Sequence, residues 1–411
     1  MQQHFDIAIV GAGLVGSSLA CALASTPYRI ALIDSQPLPA SEPADVNPNS
    51  LQDGRSIALA LSSKKMFDVL GLWQSLDADA VPIKKIHISD QGRFGAARLD
   101  SARYDVESFG YLVPAEKLIT ALQQKIQLYD HIQRVQPYEV SNLESQTDQV
   151  ILNADGEPIH AKLLIAADGI RSLIRNKLGI GADEKQYQQS AIVGCIDTEI
   201  HHQFTAYERF TKDGPLALLP RNGNRCGFIW MNPSVIAEKN LNLSDEGFLE
   251  ELQQAFGQRL GHFSNLSRRF AYPLSLLVSD QRVQQRVVLV GNAAQTLHPV
   301  AGQGLNLALR DIAELSEILV SSENALDNID EALRAYEACR QPDIENTVRF
   351  TDRLNFLFTA DYPVLSRTRG LGLALLGAIP ALEERIVRQN LGTLGSAASL
   401  LQGRALCAEH V

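Results

Sequence analysis

The apolar positions of this chain change period several times, and the changes mark its elements. Phe5-Asp6-Ile7-Ala8-Ile9-Val10 is an almost unbroken apolar run, the pattern of a strand buried on both faces of a parallel sheet. Residues 14–25, rich in Ala, Leu and Ser, read as a helix. Ile30-Ala31-Leu32-Ile33 is a second strand ending at Asp34, so residues 5–34 make one βαβ unit. Residues 35–54 form a long loop dense in Pro, Ser and Asn, and loops of that length are commonly functional. Helical spacing resumes over residues 56–72. Ile86-His87-Ile88 and Tyr111-Leu112-Val113 read as strands, residues 118–126 as a helix, and residues 132–167 as a meander returning to a buried strand at 162–167. Between about 186 and 280, short β segments dominate (191–196, 216–219, 226–231), broken by a helix at 245–256. Val287-Val288-Leu289-Val290 is another buried strand, a helix follows from about Gly304, and the remainder to residue 411 reads as helical.

That order predicts an α/β fold with a discontinuous parallel-sheet domain. Its first part spans 1–82; strands at 83–113 reach toward a second domain; the parallel-sheet domain resumes at 114–184. A second domain with a mixed sheet occupies 185–280, the first domain is completed by 281–330, and 331–411 form a helical C-terminal region. The 411 residues agree with more than one unit, since a single core stops growing near roughly 250–300 residues. Lys and Arg number 37 against 47 Asp and Glu, a net charge of −10, which makes the chain a poor candidate for binding nucleic-acid phosphate. Cys21, Cys195, Cys226, Cys339 and Cys407 form no C-x-x-C pair, so they predict reduced thiols and a cytoplasmic location rather than zinc or a dithiol. No basic segment or cleavage site precedes the first strand, and no apolar run reaches the ~18–20 residues of a spanning helix.

Three turns carry candidate chemistry. Gly11-Ala12-Gly13-Leu14-Val15-Gly16 follows a strand and opens a helix. In that context Gly11 permits the tight turn, Gly13 lets backbone approach a pyrophosphate, and Gly16 allows close helix–strand packing. The helix N-terminus offers unpaired N–H groups to phosphate. Asp34 lies 18 residues beyond Gly16, near the spacing of about 20 at which a carboxylate accepts ribose hydroxyls. This turn alone does not separate NAD from FAD. The second turn is Ala167-Asp168-Gly169-Ile170-Arg171-Ser172, followed by Arg175; a sharp strand exit and a helix carrying Arg suit phosphate or ribose, as they also suit a plain capped turn. The third runs from Gly291-Asn292 through His298-Pro299 to Gly302-Gln303-Gly304-Leu305-Asn306. Asn292 at a strand end can face a ribityl chain, and the amides of 302–306 open a helix whose dipole would stabilise negative charge on a reduced ring.

Taken together, these elements resemble the single-component FAD-dependent aromatic hydroxylases, the family of para-hydroxybenzoate hydroxylase, which carry the same three motifs in this order. The resemblance spans nearly the whole chain. Asp53-Gly54-Arg55-Ser56-Ile57-Ala58-Leu59, Tyr207-Glu208-Arg209-Phe210, Gly214-Pro215-Leu216-Ala217-Leu218-Leu219-Pro220 and Ala301-Gly302-Gln303-Gly304-Leu305-Asn306-Leu307 look like the ubiquinone-biosynthesis hydroxylase branch. Gly291-Asn292-Ala293-Ala294-Gln295 and Ile88-Ser89-Asp90-Gln91-Gly92 look most like its 2-polyprenyl-6-methoxyphenol hydroxylases. The chain departs from the wider family at Asn292 and Gln295, where most members have Asp and His.

The resemblance implies a Rossmann-type FAD domain, a mixed-sheet substrate domain, NAD(P)H as co-substrate, and hydroxylation of a polyprenylated phenol by O2 through a flavin C4a-hydroperoxide. It implies FAD contacts at Gly11, Gly13, Gly16, Asp34, Arg55, Asp168, Gly169, Gly291, Asn292, Gly302, Gln303, Gly304, Leu305 and Asn306. His298, Pro299, Gly302 and Gly304 would lie beside the isoalloxazine, with His298 either a proton-moving group or a buried structural histidine. No metal cluster or Ser/His/Asp triad is apparent. The segment 370–390 contains the apolar run Leu371-Gly372-Leu373-Ala374-Leu375-Leu376-Gly377-Ala378-Ile379 flanked by arginines. It is expected to meet a membrane interface or to pack on the flavin domain or a subunit. Rival readings are a flavin dehydrogenase acting on a prenyl lipid and a non-catalytic flavin-holding subunit of a ubiquinone-synthesis assembly.

Overall fold

The computed structural model describes residues 3–37, 55–93, 95–154, 156–298, 302–321 and 325–359, with 353–359 as backbone only, and 384, 387–388, 390–393 and 398–406. Its first sheet has the path Val283–Gln284, Val287–Leu289, Ile159–Ala166, Gln3–Val10, Ile30–Ile33, Ile132–Val135. From Val287–Leu289 onward every neighbouring pair is parallel. Ile7 and Ile9 enter one core and Ala8 and Val10 the other, which explains the unbroken apolar run. Helices Leu14–Ala22, Ala115–Ile126 and Gln303–Val320 cover the first of these faces.

A small second sheet corrects the helical reading of residues 56–72. Ser56–Ala60 is a strand that pairs antiparallel with Gly110–Pro114, which also pairs with Val81–Ile83. Its alanines suit either state, the tertiary pairing decides, and the helix begins only at Leu61.

The third sheet has nine strands, with the path Gln295–Thr296, Phe270–Ser279, Ala182–Thr198, Arg225–Pro233, Gly214–Pro220, Thr205–Thr211, Lys85–Asp90, Ala96–Asp100. The strands expected at 83–113 thus supply both an edge of this sheet and the partner of Ser56–Ala60. Ile192, Leu216, Leu218, Phe228 and Trp230 pack on the helix Asp245–Phe256. A further helix, Ser234–Leu241, went unseen in the pattern because its residues carry little amphipathic contrast. Gln295–Thr296 carries the segment beyond Val287–Leu289 across to this sheet, so the third motif bridges both layers.

Gln303–Val320 and the long helix Ile329–Thr359 are joined by a buried ionic network. Arg340 Nε meets Asp311 at 2.9 Å, its Nη2 meets Asp343 at 2.7 Å, and Arg310 meets Asp343 at 2.8 Å. Among the described residues no helix is long and apolar enough to cross a membrane. The run 371–379 lies outside the described residues, but Val387 and Leu391 pack against Leu61, Leu99 and Phe109.

Candidate functional site

The first turn is built by close backbone approach. Gly11 has φ +108°, and a Cβ there would sit 2.3 Å from the Ala167 carbonyl oxygen. A Cβ at Gly16 would lie 1.9 Å from the Gly11 oxygen. Only glycine fits either place. Gly13 differs, because beyond its chain neighbours no atom of the described residues lies within 4 Å of where its Cβ would be, so this position opens outward. Leu14–Ala22 starts there without a side-chain cap, leaving its first N–H groups for a ligand. The Asp34 carboxylate accepts from Ala12 N at 2.7 Å and Gln36 N at 2.9 Å. Each oxygen retains capacity for a ribose hydroxyl.

The second turn touches the first. Gly11 abuts Ala167, and Ala167 N donates to Val10 O at 2.7 Å. Asp168 Oδ2 accepts from Ile174 N at 3.1 Å, while Oδ1 is enclosed without a hydrogen bond. Burial pushes this carboxyl up despite the bonds it accepts. Arg175 overturns an expectation. Its guanidinium turns inward, Nη1 donating to Ala293 O at 2.9 Å and Nη2 to Ile170 O at 3.0 Å. It clamps the second motif to the third instead of presenting charge to phosphate, because a buried Arg must satisfy its donors locally.

The third motif closes against both. A Cβ at Gly291 would lie 3.0 Å from Val15 Cγ2, and Asn292 is exposed. Gln295 is buried: its amide donates to Asp311 Oδ2 at 2.7 Å and its carbonyl accepts from Arg282 Nε at 3.3 Å. The Gln295 departure from the family pattern is therefore spent on the ionic network, not on the open face. Gly302 precedes Gln303–Val320, which again has no side-chain cap, and beyond its own helix and chain neighbours no atom of the described residues lies within 4 Å of a Cβ at Gly304. Gln303 is buried and Leu305 half-buried.

The Asn306 side chain is taken up within the protein, and only the backbone amide stays with the expected site. Oδ1 accepts from Ala60 N and Ser63 Oγ, and Nδ2 donates to Ala58 O and Gly302 O, all at 2.8 Å. The side chain has no polar capacity left for a cofactor. It ties the loop at Gly302 to the strand Ser56–Ala60.

His298 is buried beside the third sheet. Its Nε2 lies 3.4 Å from Gln189 Oε1, its ring meets Tyr187 edge-on at 4.9 Å, and its Nδ1 makes no hydrogen bond. Burial pushes the imidazole down to about 4, so it is neutral at neutral pH. Of its two readings, this geometry suits the structural one. The strand Ala182–Thr198 shifts register between Gln186 and Ser190, and Gln188 has φ +54°; this irregularity sits where Tyr187 and Gln189 reach His298. The Arg55 guanidinium stands 5.1 Å over the Tyr272 ring, at the boundary between the layers. Pro299, Asp53 and Gly54 lie outside the described residues.

The three turns thus meet along one edge of the first sheet, at the C-terminal ends of its parallel strands, where α/β folds bind dinucleotides. Open space at Gly13 and Gly304, two uncapped helix starts and the unpartnered Asp168 Oδ1 fit an extended dinucleotide such as FAD.

A family model described as an FAD binding domain matches residues 4–351. The chain is 36% identical to ubiquinone hydroxylase UbiL of Rhodospirillum rubrum, with 95% of this chain and 90% of that protein covered. It is 30% identical to the 3-demethoxyubiquinol 3-hydroxylase of Escherichia coli, covering 95% and 99%. Among solved structures, p-nitrophenol 4-monooxygenase PnpA of Pseudomonas putida superposes with a TM-score of 0.76 at 16% identity, covering 95% and 99%. HpxO of Klebsiella pneumoniae, complexed with FAD, gives 0.72 at 18%, with the same coverage. These two likenesses show the fold.

Proposed function

The chain belongs to the family of FAD-binding domain proteins, and from that membership we propose that it is an FAD-dependent monooxygenase that hydroxylates the ring of a polyprenylated phenol in ubiquinone biosynthesis. The observation that carries this reading is the convergence of three separate turns on one strand edge, with open space at Gly13 and Gly304 beside two uncapped helix starts. Relatives named as ubiquinone hydroxylases supply the substrate class.

Bound there, FAD supplies the chemistry that couples a reduced nicotinamide to O2 and the phenol ring. The amides of Gly13, Leu14 and Val15 would hold the pyrophosphate, and Asp34 a ribose. Asn292 would meet the ribityl chain through both its donor and its acceptor. The amides at the start of Gln303–Val320 would face the pyrimidine end of the ring, aided by the helix dipole. Arg55, stacked on Tyr272, stands where the nicotinamide or substrate would enter. His298 and Tyr187 exclude water from behind the loop.

The test measures O2 and NAD(P)H consumption by FAD-loaded protein with a short-chain prenylphenol, with mass spectrometry of the product. Substrate-dependent consumption and a product heavier by one oxygen atom are expected. A dehydrogenated product, or no effect of the phenol, would overturn the reading. Mass spectrometry of the quinone intermediate that accumulates on deletion of the gene would then give the ring position.

A further inference from the structure

Glu208 is an ionisable side chain that nothing above uses. It lies mid-strand in Thr205–Thr211. Its neighbours turn to the helix Asp245–Phe256: the Tyr207 ring lies 5.5 Å from that of Phe256, and Arg209 Nε donates to Ala255 O at 3.0 Å. Alternation along a strand therefore sends Glu208 to the opposite face. Strand register carries that face across the sheet through Ile88, Ala217, Ile229 and Val193, all apolar. The next row on this face holds Ala191, Met231 and Tyr272, and Tyr272 carries Arg55. Beyond it, Gln189 reaches His298. Glu208 thus sits in an apolar row on the side of the sheet that meets the flavin layer.

The carboxyl has no local reason to be there. Its Oε1 is enclosed and makes no hydrogen bond, although the residue keeps some accessible surface. The charged groups on the elements around it have partners of their own. Asp90, on the adjoining strand, lies 3.7 Å from Arg93; Arg225 and Asp197 pair at 3.2 Å; Asp352, on Ile329–Thr359, is 2.9 Å from Lys185. Burial, with no charge partner, pushes the Glu208 carboxyl up to about 7. A buried acceptor without a donor is costly unless a ligand completes it.

We propose that Glu208 is the base for the substrate's phenol: it accepts the hydrogen bond of the phenolic hydroxyl and takes that proton as the ring reacts. The proposal rests on the hydroxylase reading above. The phenolic O–H bond breaks, an O–H bond forms on the carboxylate, and the electron pair left on the phenol oxygen enriches the ring for attack by an electrophilic oxygen. The proton returns to solvent when product leaves. Ile88, Ile229 and Val193 would flank the ring's hydrocarbon substituents.

The experiment titrates FAD-loaded wild type and Glu208→Gln with a phenol carrying one prenyl chain and with its O-methyl ether, following flavin absorbance across pH 6 to 8.5. A hydrogen bond to a charged group contributes about 1.5–3 kcal/mol, so the wild type should prefer the phenol by about ten-fold or more above pH ~7. That preference should shrink as pH falls and Glu208 protonates. In Glu208→Gln it should be small and flat with pH, with FAD content retained and thermal stability equal or higher, since a buried charge is removed. The same substitution should abolish the limb near pH 7 in the phenol-dependent turnover profile. A wild-type preference independent of pH, or a pH-dependent preference surviving in Glu208→Gln, would overturn the proposal while leaving phenol-stimulated turnover of the wild type intact. If neither ligand perturbs the flavin and the phenol does not stimulate turnover, the hydroxylase reading fails and this proposal with it.

Discussion

Asn306→Ala is the sharpest perturbation of the site's architecture. The side chain is 3% exposed and makes four hydrogen bonds of 2.8 Å. Three of its partners belong to residues 58–63 and the fourth is the Gly302 carbonyl. At about 0.5–1.5 kcal/mol net for each bond, removal costs ~2–6 kcal/mol, the upper end applying if no water enters the space. Asn306→Asp should be no gentler: it keeps the acceptor but turns a carboxylate oxygen toward the carbonyls of Ala58 and Gly302. Because these bonds join a loop to a strand instead of filling the core, part of the loss should appear as weaker FAD binding. Thermal unfolding of the apoprotein and FAD titration by flavin fluorescence measure the two parts. An Asn306→Ala protein with wild-type melting temperature and wild-type FAD affinity would refute the assignment of Asn306 as the tie that sets the Gly302–Gly304 loop.

Two further perturbations probe what surrounds the loop. Arg340→Leu leaves Asp311 and Asp343 buried with less compensating charge and should destabilise the fold by roughly 3–5 kcal/mol in chemical denaturation; a loss under 1 kcal/mol would mean the network is hydrated. His298, held near 4 when folded against 6.5 as its ordinary value, binds its proton more readily when unfolded. Its contribution is therefore present above pH ~6.5 and is lost as pH falls toward 4, amounting to up to about 3 kcal/mol. His298→Asn should flatten the stability profile in that window, and an unchanged profile in urea melts from pH 4 to 7 would contradict the burial argument.

The first βαβ unit and the three turns were legible because their signals are local. A glycine turn between a buried strand and a helix has one main steric explanation, and Asp34 stands where a strand must end. What was illegible depends on distant partners. Ser56-Ile57-Ala58-Leu59-Ala60 has no intrinsic bias against a helix, and only Gly110–Pro114 makes it a strand. Arg175 looks like a ligand contact by type and position, and nothing local marks the Asn306 side chain as a tie. Their partners Ala293 and residues 58–63 lie far along the chain. Gln295 likewise sits near an exposed Asn292 yet points into a network shared by the helices at 303–320 and 329–359. Glu208 did leave a signal, a carboxylate between the apolar same-face residues Ala206 and Phe210, but reading it requires knowing which face meets the flavin layer.

Gly13→Val tests most directly whether the turns enclose one dinucleotide. Beyond its chain neighbours the new Cβ meets no atom of the described residues within 4 Å, so the variant should fold and melt like the wild-type apoprotein. It would occupy the space assigned to the pyrophosphate, so FAD affinity, read from the visible spectrum after gel filtration with added cofactor, should fall at least about a hundred-fold, near 2.7 kcal/mol. A Gly13→Val protein that emerges as yellow as the wild type would contradict the account.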